Sequence, residues 1–460
     1  MKILRKFYIV ILASIIAISC EVEEGENLNG PTTGTISSDL SRAELRQAMA
    51  GVLADMRTRI GTQVDVQAVA GREYWRVQSS DPRWTADLLT GTLDNNTFYT
   101  TVPYASRYAN VKNINLLLEG LENSSADFTD QEKAATRGFA NTIKAHELLM
   151  VLNLQYQNGI RLDVNDPDNL GDFLGYDDAL TAIFDMLNMA LTDLSNGGEE
   201  FPFAIPSGFD DLEEVASPDP VDNDNMIITP QDFATFTNAL AARVEVYRGN
   251  YVSANSLLSN SFLDLNGDLN SGVYFTFSLT GADIANPLFF ALNSTIANAR
   301  LAHPSFIIDA EPGDNRVNKA VLRNSPIEVS GPDNTTSADD LIGEYDVFIY
   351  SSNIDPVVVI RNEELILLYA EANHIINPAE AVAAIDIVRT SAGLAPYSGG
   401  LTPSDLVDEI LQQRRYSLFA EGGHRWIDLR RFNRLDELPI DRPGDGIFEQ
   451  FPTPANENRN

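Results

Sequence analysis

The sequence predicts a mainly α fold, built from tetratricopeptide-like helical pairs with long loop insertions and a minor β component. Three observations predict it. Apolar residues recur at helical spacing along most of the chain, from Leu40 to the segment 404–421. Several of these segments begin with a capping residue or with proline at the first helical position. Two segments, 239–258 and 365–389, alternate small and large residues as closely packed helical hairpins do.

The first twenty residues have the pattern of an export signal. Three basic residues precede the apolar run 7–18, which is too short to span a bilayer. The run ends at Ser19 and Cys20, and Cys20 is the only cysteine of the chain. We therefore predict a lipoprotein signal peptide over 1–19 and acylation, typically with palmitate, at Cys20. The alternative is an ordinary signal peptide followed by a free thiol.

Residues 20–38 follow with glycine, proline, threonine, asparagine and glutamate, and they show no periodic apolar pattern. This composition is typical of a flexible segment, because it offers too little apolar surface to form a core. We predict an acidic tether over 20–38 and a folded body over 39–460.

The charge of the chain excludes one class of function. Lysine and arginine number 32 against 66 aspartate and glutamate residues, a formal net charge of −34 at pH 7. Such a chain repels the phosphates of nucleic acids and of anionic lipids. We therefore expect no nucleic-acid partner, and we expect membrane attachment through acyl chains and not through a basic patch.

Helical segments follow one another along the folded body. The segment 129–156 begins with a capping box, in which Thr129 precedes Glu132 by three residues. Further helices are predicted over the segments 107–123, 176–194, 229–249, 361–376, 378–390 and 404–421.

One segment predicts a specific helical hairpin. Within 239–258 the spacing Tyr-x-Gly-x-Tyr-x-x-Ala is typical of tetratricopeptide pairs. Gly249 would end the first helix in the left-handed conformation, and Ala254 would let the two helices approach closely. The segment 365–389 repeats the pattern, with alanines at its small positions. Because the period is irregular, we predict helical pairs with insertions and not a regular solenoid.

Four segments lack a helical pattern and are predicted to be loop insertions. They are 61–103, 197–228, 260–356 and 432–460. The third contains short strand-like stretches, and the stretch 208–225 has acidic but no basic residues, which predicts a solvated loop. Loops on a rigid scaffold are the usual location of binding residues.

The common motifs of catalytic sites are missing from the sequence. The four histidines lie far apart without metal-ligand spacing, and there is no nucleophile elbow, P-loop or dinucleotide-binding glycine run. We therefore predict neither an enzyme nor a cofactor. A pair of glycosidase carboxylates among the 66 acidic residues stays open as an alternative.

A calcium loop is suggested and then rejected at residues 264–275. The position that requires glycine in an EF-hand is Leu269, and the position that requires glutamate is Phe275. A looser calcium site stays open, formed by Asp264, Asn266 and Asp268.

The segment 71–104 carries the strongest sign of a binding site. Tryptophan and tyrosine residues alternate there with arginine, aspartate and asparagine in a stretch that breaks helices. Aromatic faces stack on the C–H face of sugar rings, while the polar groups bind the hydroxyls. The predicted ligand-binding residues are Tyr74, Trp75, Arg76, Asp81, Arg83, Trp84, Asn96 and Tyr99. The alternative is that these aromatic residues pin the loop to the helical core.

Four stretches near the C terminus carry a family resemblance. They are RNEELILLYAEAN (361–373), DIVRTSAGL (386–394), RRYSLFAEGGHRWIDLRR (414–431) and FPTPANEN (451–458). They resemble the SusD/RagB family, the surface glycan-binding lipoproteins of Bacteroidetes nutrient-uptake systems. The segment 104–122 resembles the first long helix of that family. Two departures are Ser417, where the family usually has glutamate, and one additional residue within 421–425.

The resemblance implies a single SusD-like domain over 39–460. Its N-terminal part would be 39–228 and its signature part about 229–460, and its helical pairs would form a right-handed superhelical scaffold. The charged residues of the signature are too numerous to be buried unpaired, so we predict an ion-pair network that joins the last helices. Its members would be Glu371, Arg389, Arg414, Arg415, Glu421, Arg425 and Asp428.

The resemblance also implies a function in polysaccharide utilisation. A protein of this family would be lipid-anchored at the surface of the outer membrane and would bind oligosaccharide without cleaving it. It would act as the lid of a SusC-like TonB-dependent transporter. The acidic residues behind Cys20 resemble the signal that directs lipoproteins to that surface. A lid for peptides, as in the RagB branch, stays open as an alternative because acidic charge suits cationic peptides. A carbohydrate-active enzyme is a less favoured alternative.

Overall fold

The computed structural model describes residues 33–166, 168–209, 228–281, 283–329 and 340–457. The signal peptide over 1–19, Cys20 and most of the tether lie outside the described residues, as does most of the acidic stretch 208–225. These assignments stay predictions. In the part of the chain that the structure describes, no helix combines the length and the apolar character needed to cross a membrane.

The N-terminal part is a series of packed helices. They are α1 (Thr33–Ser38), α2 (Arg42–Arg57), α3 (Ile60–Ala70), α4 (Asp87–Thr90), α5 (Phe98–Asn123), α6 (Asp130–Gln155) and α7 (Tyr176–Ser195). The predicted capping box of α6 is confirmed, because Thr129 accepts from the Glu132 backbone and Glu132 accepts from that of Thr129. Helices α5, α6 and α7 pack in order, each against the next.

Six residues assigned to the tether form α1. This helix packs on α5, where the Asn123 side chain donates to the Ser37 carbonyl at 3.0 Å. Gly120 makes the approach possible, since a Cβ there would lie 1.8 Å from the Ile36 carbonyl oxygen. The folded body therefore begins within the segment predicted to be flexible.

The C-terminal part contains the predicted helical pairs. Its helices are α8 (Pro230–Tyr247), α9 (Tyr251–Leu258), α10 (Pro304–Ile308), α11 (Asn362–Asn373), α12 (Pro378–Ser391), α13 (Pro403–Ser417) and α14 (His424–Arg431). The hairpin of α8 and α9 is confirmed: Gly249 has φ +73°, and the Ala254 side chain is fully buried. Helix α9 packs on α11, which also packs on α12 and α13.

The strands come mainly from the insertions. They are β1 (Tyr74–Val77), β2 (Ile160–Arg161), β3 (Phe173–Leu174), β4 (Gly272–Phe275), β5 (Ala299–Ala302), β6 (Ala320–Val329), β7 (Leu341–Val347) and β8 (Val357–Arg361). One antiparallel sheet has the order β1-β5-β7-β6, and the pairs β2-β3 and β4-β8 are separate. The four-stranded sheet thus joins the insertion 61–103 to the insertion 260–356. The predicted fold, mainly α with minor β, is confirmed.

Two apolar clusters hold these elements together. The larger one runs through both parts of the chain, and a smaller one lies among α11, α12 and α13. In the smaller cluster Ala381 and Ala384 of α12 are fully buried beside Ile366 of α11. The short side chains let the helices approach, which is the role that the sequence assigned to them.

Candidate ligand-binding surface

The aromatic rings of the predicted site are buried. The exposed fractions are 1% for Tyr74, 4% for Trp75, 6% for Trp84 and 0% for Tyr99. The expectation that these rings present a face to solvent is therefore wrong. Their positions match the alternative, in which the aromatic residues fix the loop to the core. The cause is tertiary, because segments distant in the sequence cover both faces of strand β1: Asp65 of α3 contacts Tyr74, and Asp441 contacts Trp75.

Tyr74 and Arg76 belong to a buried charge cluster around Asp65. The Tyr74 hydroxyl donates to Asp65 at 2.7 Å, Arg300 Nε lies 2.6 Å from the carboxylate and Arg76 Nε lies 3.3 Å from it. Burial alone would raise the pKa of Asp65, but Arg300 and Arg76 outweigh it and hold that pKa below its usual value. The cluster ties α3 to strands β1 and β5.

Trp75 is held by a second cluster around Asp441. Its indole Nε1 donates to Asp441 at 2.9 Å, and the His303 imidazole Nε2 lies 2.6 Å from the same carboxylate. The Trp75 and His303 rings meet edge to face at 5.2 Å between centroids. These contacts connect β1 to the start of α10 and to the C-terminal insertion, so Trp75 anchors three segments.

Tyr99 stabilises the start of α5. Its hydroxyl donates to the Asp87 carboxylate at 2.9 Å and accepts from the Asp94 backbone N–H at 2.8 Å. Burial, together with Asp87, raises the pKa of Tyr99 to about 12, so the hydroxyl stays a donor at neutral pH. This side chain orders the turn that precedes Asn96.

Trp84 and Arg76 take part in a row of contacting cations and rings, which we call the cation–π ladder. Its members are Arg83, Phe98, Trp84, Arg76, Phe290 and Arg300. Arg83 lies 5.1 Å from the Phe98 ring centroid, and that ring lies 4.8 Å from Trp84. Arg76 lies 5.5 Å from the Trp84 ring and 4.9 Å from Phe290. The Phe290 ring also faces Arg300 at 3.9 Å. The ladder therefore joins the insertions 61–103 and 260–356 rigidly.

The polar members of the predicted site lie at the outer end of this ladder. We call this surface the insertion shelf: Asp81, Arg83, Asn96, Phe98 and Ile296. Arg83 donates through Nε and Nη2 to both Asp81 oxygens at 2.8 Å, and its side chain is 48% exposed. Asn96 is exposed and Phe98 is half-buried. The Ser79 backbone N–H donates to the Ile296 carbonyl at 3.0 Å, which brings the second insertion to the shelf.

The shelf offers little aromatic area to a ligand. Among the residues that the structure describes, the exposed large hydrophobic side chains are all aliphatic, including Ile296 at 42%. The structure thus brings Asp81, Arg83 and Asn96 to the surface beside the edge of Phe98. It places Tyr74, Trp75, Arg76, Trp84 and Tyr99 beneath or beside that surface.

Sequence reasoning missed a cleft at the other side of the insertion 260–356. It has a volume of about 570 Å³, within the range of ligand sites. Its walls include Asn270, Tyr274, Asn315, Tyr350, Asp355 and Pro356. At its base Arg361 pairs with Glu421 at 2.9 Å and also with Glu363. The only sequence signal was the charge of Arg361 and Glu421, which lie within or beside the signature stretches.

The carboxylates of the looser calcium site, which the sequence analysis left open, accept hydrogen bonds within backbone turns. Asp264 accepts from the Asn266 backbone at 2.8 Å, and Asp268 accepts from that of Asn270 at 2.9 Å. The Asn362 amide donates to the carbonyls of Asp264 and Asp268 and ties the loop to α11. Within the described ranges no three or more histidine, cysteine, aspartate or glutamate side chains form a group that could hold a metal ion.

The predicted ion-pair network is present in part: it contains Glu371, Arg414 and Asp428, together with Arg431, which the sequence analysis did not name. Arg414 pairs with Asp428 at 2.6 Å, and Arg431 links Asp428 at 2.8 Å to Glu371 at 2.9 Å. Three other predicted members have partners elsewhere: Arg389 pairs with Glu311 and Glu409, Arg415 with Asp309 and Glu421 with Arg361. The prediction is wrong for Arg425, which donates to the Arg72 carbonyl and has no ion pair among the described residues. The network joins α11, α13 and α14.

The comparisons with known proteins point to one family. Residues 350–458 match the family model described as SusD family. Over this part the chain is similar to the SusD/RagB family. The matched residues contain most of the network described above, together with β8 and helices α11 to α14. A search of curated proteins found no match.

Solved structures extend the likeness over nearly the whole chain. A SusD superfamily protein from Parabacteroides distasonis shares 14% identity, covers 91% of this chain and 97% of its own, and has a TM-score of 0.64. A SusD superfamily protein from Bacteroides vulgatus shares 13% identity, covers 86% of this chain and 89% of its own, and has a TM-score of 0.63. A laminarin binding SusD-like protein shares 16% identity, covers 90% of this chain and 96% of its own, and has a TM-score of 0.59. At these identities the likeness shows a common SusD fold.

Proposed function

We propose that this protein, which has the SusD fold, binds a glycan or oligosaccharide on the insertion shelf. The observation that carries the proposal is the shelf itself: two loop insertions, locked together by the cation–π ladder, present polar groups around the half-exposed edge of an aromatic ring. A protein with the same fold over 90% of this chain is named for laminarin binding, which supports the choice of a sugar ligand.

Each shelf residue has a defined role in this proposal. Asp81 accepts hydrogen bonds from sugar hydroxyls. Arg83 donates to the sugar through Nη1, because its Nε and Nη2 are bonded to Asp81. The Asn96 amide both donates to and accepts from the sugar. The edge of Phe98 contacts the apolar face of a sugar ring. Tyr74, Trp75, Arg76, Trp84 and Tyr99 act beneath the shelf as positioning residues, because burial keeps them from the ligand. The glycan is bound and not cleaved.

The proposal includes a location and a partner. Acyl chains on Cys20 anchor the protein to the outer membrane at the cell surface, and residues 20–32 link the anchor to α1. The folded body acts as the lid of a SusC-like TonB-dependent transporter and delivers the captured oligosaccharide to it. The match of residues 350–458 to the SusD family model supports both parts of the proposal.

The binding site is tested by calorimetry against a panel of oligosaccharides, including laminarin fragments. The double variant Arg83→Ala, Asn96→Ala should bind the best ligand about tenfold or more weakly, because each lost hydrogen bond contributes on the order of 1 kcal/mol. Lys112→Ala on α5 is the matched control, since its side chain is also exposed and lies about 20 Å along the helix from Phe98.

Two results would contradict the site. One is unchanged affinity in the double variant, which would move the glycan elsewhere, with the cleft of about 570 Å³ as the next location to test. The other is turnover of the bound oligosaccharide by the purified protein, which would favour the enzyme alternative.

A further inference from the structure

A cavity of about 340 Å³ lies among α10, α13, α14 and the turn that follows α14. We call it the C-terminal cavity. Its charged walls are formed by Asp309, Asp408, Arg415, Arg425, Arg434 and Glu437, with Asp428 at its base. It shares no residue with the insertion shelf or with the cleft of about 570 Å³.

The acidic residues of this cavity already have cationic partners. Asp309 pairs with Arg415 at 3.0 Å. Arg434 pairs with both Asp408 and Glu437 at 2.5 Å. Asp428 is held between Arg414 and Arg431. Their negative charge is therefore compensated.

Arg425 has no such partner. Its Nη1 donates to the Arg72 carbonyl at 3.1 Å, and within the described residues no carboxylate oxygen lies within 4.0 Å of its guanidinium. Arg415 stands beside it with a side chain that is only 10% exposed. The Arg415 Nε is buried and has no hydrogen-bond partner among the described residues. Arg415 donates through Nη1 to Asp309 at 3.0 Å and through Nη2 to Ser305 at 2.7 Å, so the donors left at this cavity are Nε and Nη2 of Arg425.

The buried carboxyl of Glu73 does not fully compensate the positive charge of Arg425. Glu73 is buried, and its Oε2 finds no hydrogen-bond partner in the described part of the chain. Burial raises the pKa of Glu73 to about 7, so this carboxyl is only partly ionised near neutral pH. Burial and the repulsion from Arg415 lower the pKa of Arg425 to about 9. An anion placed between the two arginines would relieve that repulsion.

We propose that the C-terminal cavity is a binding site for a small oxyanion, a carboxylate or sulfate group, held by Arg425 beside the cationic side chain of Arg415. The planar guanidinium fork of Arg425 matches both groups, because its Nε and Nη2 can donate two parallel hydrogen bonds to their oxygens. A volume of about 340 Å³ leaves room for the sugar ring that carries such a group. The site does not depend on the proposed function of the shelf, since it uses other residues.

The test is calorimetry on the purified full-length protein with three probes: sodium sulfate, galacturonate and galactose. We expect galacturonate to bind and galactose to be inactive, because only the carboxylate differs. Sulfate that binds as tightly as galacturonate identifies the free ion as the ligand, whereas tighter galacturonate binding identifies a sugar-borne acid. If neither anion binds to the unaltered protein, the proposal is overturned.

Variants then locate the site. Arg425→Gln should weaken anion binding about tenfold or more, because it removes a charge-assisted hydrogen bond. Arg425→Lys should keep part of the affinity through its charge. Lys112→Gln is the matched control, since it also removes one positive charge but its exposed side chain lies on α5 and does not line the cavity. Equal affinity in Arg425→Gln and in the unaltered protein overturns the proposal.

Hydrogen exchange on the unaltered protein keeps the test decisive if Arg425→Gln does not fold. Bound galacturonate should protect amides within α13 and α14, which carry Arg415 and Arg425. Protection confined to the insertion shelf would place the anion there and overturn the proposal for this cavity.

Discussion

At the scale of single residues, buried charges of this protein are compensated by direct partners. Arg107 and Glu147 are both fully buried and 2.9 Å apart, and Arg107 also donates to the Met56 carbonyl at 2.8 Å. A buried charge without such contacts would cost several kcal/mol. Among the buried carboxylates of the described residues Glu73 is the exception, because it accepts one backbone hydrogen bond, from Ala420, and has no ion pair.

The exception predicts a pH dependence of stability. Burial raises the pKa of Glu73 from 4.5 to about 7 in the folded state. The stability that this group contributes is therefore complete below pH 4.5 and is lost as the pH rises through about 7. In Glu73→Gln this loss should be absent, so the variant should gain up to about 3 kcal/mol relative to the unaltered protein between pH 4.5 and pH 8.

Urea unfolding of both proteins at several pH values measures this difference. Glu119→Gln is the control, because Glu119 is exposed on α5. A stability difference between Glu73→Gln and the unaltered protein that stays constant from pH 4.5 to pH 8 would contradict the assigned titration.

At the scale of elements, close approach depends on small residues. Gly120 of α5 faces α1, and Gly138 of α6 faces α7, where a Cβ would lie 2.6 Å from the Leu194 side chain. Packing at such positions leaves no room for a methyl group. Helix α1 is the shortest of these partners, so its docking is the most sensitive to one added carbon.

Gly120→Ala should release α1 from α5, because the new Cβ would lie 1.8 Å from the Ile36 carbonyl oxygen. The expected result is faster proteolysis at residues 33–38 with the rest of the fold retained, measured by limited digestion and mass spectrometry. The control is Gly51→Ala on α2, where nothing lies within 4 Å of the added carbon. Equal cleavage of Gly120→Ala and the unaltered protein would show that α1 is not docked in solution.

At the scale of the whole molecule, the net charge of −34 separates the proposed sugar ligand from its peptide alternative. The electrostatic field of an acidic protein attracts cationic peptides and acts little on neutral sugars. Raising the salt concentration from about 0.05 M to about 0.5 M screens that field. Binding of a neutral oligosaccharide should therefore keep its affinity over this range, as measured by calorimetry. Affinity that falls steeply with salt, or tight binding of a lysine-rich peptide alone, would favour the peptide alternative.

The fold was largely predictable because its information is local. Capping boxes, the spacing around Gly249 and the alanines of α12 act within a few residues, so they can be recognised in one stretch of sequence. The boundary at α1 was not predictable, since Thr33–Ser38 lack an apolar period and their helix depends on contact with Gly120.

The candidate site was predictable only in part, since composition does not say which side chain is covered. The segment 71–104 was recognised by its mixture of aromatic and polar residues, and the structure places its polar members Asp81, Arg83 and Asn96 on the shelf. The residues Phe290 and Ile296, which complete the ladder and the shelf, lie some 200 positions away and gave no local signal.

By itself the sequence determined the helical pairs, the signature stretches and the acidic charge, because each depends on neighbouring residues or on composition. The location implied by Cys20 stays a prediction. Only the tertiary structure decided that Trp75 and Trp84 are buried, that Arg83 is exposed and that Arg425 is left without a carboxylate. The reason is that burial and pairing are set by distant segments, as when Asp441 contacts Trp75.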